Sequence, residues 1–117
     1  MRVLLQVGVA ALLMLGSAAQ ADAPGAWRVN GAISGRTFTL DCHLVQGSGL
    51  CTDASPGGKS HSLASLSDAG NRVNWSFKTR VAFLSITLAF AGQVVGDRMS
   101  GTMSAAGRSG TFTAVRR

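Results

Sequence analysis

The chain has 117 residues, and eleven lysines and arginines oppose five aspartates and no glutamate, for a formal charge of +6. That length has room for one domain with a modest core. The positive residues are spread singly apart from Arg116-Arg117, with none of the basic, aromatic-studded face that nucleic-acid binding requires.

The N-terminus predicts export. Met1-Arg2 makes a positive start, Val3 to Leu15 is apolar except for Gln6 and a glycine, and "GSAAQADA" follows with small residues. This is the pattern of a secretory signal, too short to be a retained membrane span. Ala19-Gln20-Ala21 places cleavage after Ala21, since cleavage after Ala23 would leave Pro24 first. Residues 1–21 are then a signal peptide, and residues 22–117 one periplasmic or secreted domain. No cysteine follows the apolar stretch to carry a lipid.

Both cysteines, Cys42 and Cys51, lie in the mature chain. In an oxidising compartment they are expected to form one disulfide, worth roughly 2.5–3 kcal/mol on the chain-entropy account. Two cysteines without clustered histidines make a poor zinc set, and neither a metal nor a cofactor is expected.

Taken in chain order, the mature segments alternate with period two. "AWRVNGAIS" sets Trp27, Val29, Gly31 and Ile33 against Arg28, Asn30, Ala32 and Ser34. "RTFTLDCHLV" sets Phe38, Leu40, Cys42 and Leu44 against Thr37, Thr39, Asp41 and His43. A two-residue loop at Gln46-Gly47 then faces Cys42 with Cys51 as a non-hydrogen-bonded pair, within disulfide reach. His61, in "GGKSHSL", falls in a loop, and Ala64 and Leu66 face inward. "NRVNWSFK" turns Val73, Trp75 and Phe77 one way and Asn74, Ser76 and Lys78 the other. The sequon at Asn74 therefore sits in a strand. "RVAFLSITLAFAG" is apolar on both faces; its β-branched and aromatic content favours a long strand, with Ile86, Leu88 and Phe90 inward and Phe83 outward. Met99, Met103 and Phe112 complete the inward set. Glycine-rich turns separate about eight strands, which predicts an all-β, antiparallel up-and-down barrel.

One phrase occurs twice near the end: Ser100-Gly101-Thr102-Met103-Ser104 and Ser109-Gly110-Thr111-Phe112-Thr113. A tight turn at Ala106-Gly107 pairs Thr102 with Thr111, Met103 with Gly110, and Gly101 with Phe112. Each large side chain then lies over a glycine on the partner strand, which protects a bent, weakly packed site. The repeated phrase builds strands; it is not a ligand signature.

Gly25-Ala26-Trp27, opening the first strand, resembles the short G-x-W motif of the calycins, the lipocalin-like barrels. The resemblance implies that Trp27 plugs one end of the barrel and that a basic residue of the last strand, Arg116, packs across it. In size and disulfide the chain is similar to small exported calycins, among them periplasmic inhibitors of secreted metalloproteases.

Asp41 and His43 share a face, but an exposed strand pair without a pocket is surface and not a triad, so no catalytic residue is expected. The expected function is non-enzymatic binding of an apolar or amphipathic small molecule, with Trp75, Phe77, Phe90 and Met103 lining the pocket. The alternative is a periplasmic protein-interaction barrel, such as a protease inhibitor, that uses the "DAPGA" segment or the "ASPGGK" loop. A membrane-spanning barrel is not expected, because the chain has no tyrosine from which to build aromatic girdles and ends in Arg116-Arg117.

Overall fold

The computed structural model describes residues 23–81 and 83–117, so the expected signal peptide lies outside the described residues. Eight strands run in chain order: β1 Gly25–Ile33, β2 Arg36–Leu44, β3 Leu50–Asp53, β4 Ser60–Ala69, β5 Arg72–Val81, β6 Leu84–Val95, β7 Arg98–Ala105 and β8 Arg108–Arg116. Each pairs antiparallel with its successor, and β8 returns to β1 from Trp27↔Arg116 to Ile33↔Gly110. The barrel is closed, which leaves no continuous sheet edge to template aggregation.

The up-and-down order gives the barrel two different ends. Ala23, the C-terminus and the β2–β3, β4–β5 and β6–β7 turns form the terminal end. The β1–β2, β3–β4, β5–β6 and β7–β8 connections form the distal end.

Turn chemistry sets the register. Ser34-Gly35 and Ala106-Gly107 all have positive φ, at 52°, 77°, 52° and 78°, the combination of a two-residue hairpin whose twist matches its strands. The second of these turns fixes Thr102↔Thr111, Met103↔Gly110 and Gly101↔Phe112 as expected. Between β2 and β3, the Ser48 amide donates to the Val45 carbonyl at 3.3 Å around Gln46-Gly47. Cys42 therefore faces Cys51 directly, and the two form the disulfide.

The inward face is apolar. Trp27, Val29, Leu40, Leu44, Val73, Trp75, Phe77, Phe90, Val94, Met99, Met103, Phe112 and both cysteines are buried, with no buried charge among the described residues. One row running across the strands explains the glycines: Gly92↔Gly101↔Phe112↔Gly31↔Phe38. A Cβ on Gly31 would meet the Phe38 ring at 2.2 Å, and one on Gly92 the Phe112 ring at 2.8 Å. Two aromatic rings thus occupy space that side chains of the row would otherwise fill. Gly101 and Gly110 differ from the expectation: their missing Cβ atoms would strike the backbone oxygens of Ala91 and Ala32. There it is the adjacent strand itself that comes close.

Two expectations fail in β4. Ala64 is exposed, because a register shift between Leu63 and Ser65 inverts the alternation and turns Leu63 toward the core. His61 lies on the strand and not in a loop, paired with Cys51. The same inversion sets it against Phe77.

Candidate functional site

The terminal end holds a buried tryptophan under an arginine. Trp27 is fully buried, and its indole N–H donates to the Ala23 carbonyl at 2.8 Å. The Arg116 guanidinium stands over the ring at 4.2 Å, donates to the Pro24 carbonyl at 3.2 Å, and lies 3.4 Å from Asp97. A delocalised cation over an indole face gains cation–π attraction while its donors still reach carbonyls. Arg116 thus packs across Trp27, the contact that the resemblance implied, with the Ala23 and Pro24 carbonyls as acceptors at the same end. From Ala23 onward the N-terminal segment hugs the barrel and does not protrude.

The same end carries a charge clasp that the sequence reading missed. Arg28 of β1 makes a two-pronged contact with Asp41 of β2, at 2.9 and 3.1 Å, and the terminal Arg117 adds a third at 2.7 Å. Asp41 is thus occupied as a structural anion and does not serve His43. The hydrogen bond from Arg28, then the charges of Arg28 and Arg117, hold its carboxyl below the usual range against an opposing cost of desolvation. A depressed folded value means the clasp is fully present above the ordinary carboxylate range and is lost as pH falls through the depressed value. Because the pair is 40 % exposed, Asp41→Asn is expected to cost only about 0.5 kcal/mol at neutral pH. In urea titrations against pH, the variant should lose less stability than the parent on acidification.

Above the plug, the residues expected to line a pocket are brought together. Trp75 stacks on Phe90 at 4.7 Å, Phe77 stacks on Phe90 at 6.0 Å, and Met103 pairs with Phe90. Phe112 meets Trp75 and Phe90 edge-on, each at 5.4 Å. His61 stacks on Phe77 at 4.9 Å, with its Nε2 3.4 Å from Asp53. The result is a column of rings from mid-barrel to the distal rim, topped by an imidazole and a carboxylate. Within it the Trp75 indole nitrogen is buried and has no hydrogen-bond partner among the described residues. Around the top, Ile33, Phe38, Leu63, Ile86 and Leu88 are only partly buried, whereas Val94, Met99 and Leu44 near the plug are fully buried.

The outer wall is polar. Asn30–Thr39, Thr52–Ser60 and Ser65–Ser76 are cross-strand hydroxyl or amide pairs at 2.7–2.9 Å. An open surface groove of about 530 Å³ departs from this pattern: beside Ser65, Ser76 and Ser109 its lining includes Trp75, Phe90 and Met103. Apolar inside and polar outside is the inverse of a lipid-facing barrel. Among the described residues no helix is long and apolar enough to cross a membrane, and no group of three or more His, Cys, Asp or Glu could hold a metal.

The closed antiparallel eight-stranded barrel is consistent with the calycin architecture in general. No protein-family model, no curated protein and no solved structure matches the chain.

Proposed function

We propose that the chain is an exported, non-enzymatic, lipocalin-like barrel that holds one small apolar or amphipathic molecule at its distal mouth, above the Trp75–Phe90 stack. One observation carries the reading: the Trp75 indole N–H has no partner among the described residues, in a ring column of a barrel whose opposite end carries Arg116 over Trp27. An unsatisfied buried donor costs about 1–3 kcal/mol, a cost relieved when a ligand oxygen accepts from it. The ligand is therefore chiefly apolar, matching Phe38, Leu63 and Leu88, and carries one acceptor group. Small-molecule sites of this kind combine an apolar lining with a few convergent polar groups.

The test is a native mass spectrum of the protein isolated from its own host, with Trp75→Phe beside it. A reproducible small adduct on the parent, weakened in the variant, supports the reading, and a chain beginning at Asp22 supports export. An adduct held equally by both forms would sink the role of the indole. A clean, adduct-free parent would sink the carrier reading and favour a filled barrel that acts through its protein surface.

A further inference from the structure

The β5–β6 hairpin outruns its neighbours. Pairing of β4 with β5 ends at Leu63↔Phe77, and pairing of β6 with β7 ends at Leu88↔Ala105. Beyond those positions the two strands pair only with each other, from Lys78↔Thr87 to Val81↔Leu84. Four residues of each strand make a two-stranded ribbon roughly 13 Å long, standing past the distal rim.

The ribbon is two-faced. Strand alternation puts Thr79, Ile86 and Leu84 on the face that continues the barrel lining, and Lys78 and Arg80 on the outer face. At its tip Phe83 is 92 % exposed and Leu84 68 %. A phenylalanine and a leucine in water at a projecting tip are not explained by packing, since none of the described residues covers them.

Charge at this end is one-sided. Among the described residues Arg36, Lys59, Lys78, Arg80 and Arg108 lie there against one carboxylate, Asp53, which sits beside His61. Among the described residues the arginine–carboxylate pairs are at the terminal end, Asp41 with Arg28 and Arg117 and Asp97 with Arg116. The distal cations are thus left to act outward.

We infer that the distal end docks on an anionic phospholipid surface, with Phe83 and Leu84 inserted at the headgroup boundary and Lys78, Arg80 and the rim cations over the phosphates. The dimensions select this occupant. A standard protein interface buries about 800 Å² on each partner, far more than two side chains at a ribbon tip provide. A small apolar tip backed by cations is instead what an interfacial anchor requires, and each basic residue near such a surface adds attraction that salt screens. Lys78 and Arg80 also discourage strand-to-strand pairing along the ribbon's edge, which disfavours a second copy as the occupant. Docked this way, the barrel mouth faces the lipid. The inference does not depend on the interior holding a ligand, because vesicle binding is read without any cargo.

The experiment is vesicle co-sedimentation of the chain as its host processes it, with phosphatidylcholine vesicles and with phosphatidylcholine–phosphatidylglycerol vesicles. Binding is expected only to the anionic vesicles, and to fall with added salt. The double variants Phe83→Ser/Leu84→Ser and Lys78→Glu/Arg80→Glu should each bind at least roughly tenfold more weakly with unchanged melting, since all four residues lie on the projecting ribbon. Absence of binding by the parent, equal binding to both vesicle types, or full binding by both variants would overturn the inference. So would a parent that self-associates through the tip in sedimentation velocity and ignores vesicles.

Discussion

Trp27→Ala is expected to destabilise the protein by about 3–5 kcal/mol, the usual range for removing a large buried ring. In a domain of this size that corresponds to a fall of roughly 15–30 °C in melting temperature, a large share of a total of about 5–15 kcal/mol. Three losses combine: the ring's burial, its N–H bond to Ala23, and the surface on which Arg116 rests. Arg116→Ala should cost less, about 1–2 kcal/mol, because the guanidinium is partly exposed and its cation–π and hydrogen-bond contributions are each modest. The two residues touch, so the double variant should fall short of the sum. Thermal melts of the three variants decide it. A Trp27 variant no weaker than the Arg116 variant would mean that the terminal end is not a plug.

The plug was legible because it rests on identity and parity: a tryptophan opening the first strand and an arginine in phase with Phe112 and Ala114. The disulfide hairpin was legible for a related reason, since a tight turn at Gln46-Gly47 leaves one register that joins Cys42 to Cys51. In β4 the same parity argument misled. Counting back in twos from Leu66 reaches Ala64, whereas the bulge moves the inward set to Leu63 and His61. The signal was the spacing of His61, Leu63 and Leu66, two residues and then three, which uninterrupted alternation cannot accommodate. Half of the clasp was legible and overlooked, because the tight turn at Ser34-Gly35 already sets Arg28 opposite Asp41; Arg117 was hidden, since it reaches Asp41 only when β8 closes on β1. The ribbon was hidden for another reason. How far a hairpin projects depends on where its neighbours stop, and no local pattern in β5 and β6 records that. The single long strand expected from Arg80 is broken: Arg80 and Val81 end β5, Phe83 is exposed in the turn and not on a strand face, and β6 starts at Leu84.

Gly101→Ala is expected to be the most damaging single-methyl addition in the barrel, costing about 3 kcal/mol. The reason is what the methyl would meet. Its Cβ would lie 1.9 Å from the Ala91 carbonyl oxygen and 2.6 Å from the Gly92 Cα. Both are backbone atoms of β6, which pairs with β7 through Gly92↔Gly101. A side chain could rotate away, but a backbone can yield only if the strands part, and parting them sacrifices ladder hydrogen bonds in a closed sheet. Gly92→Ala, one strand over, provides the control. There the first contact is the Phe112 ring at 2.8 Å, followed by the Met99 Cγ and the Ser100 carbonyl oxygen at 3.2 Å; a methionine is flexible enough to give way, and the backbone contact is far milder than at Gly101. Urea unfolding should therefore rank Gly101→Ala well below Gly92→Ala, and both below the parent. If the two variants were equally mild, β6 and β7 would have to be more loosely apposed than these distances require. The glycines of the repeated phrase would then be fillers, with no part in letting the barrel close tightly around Phe112.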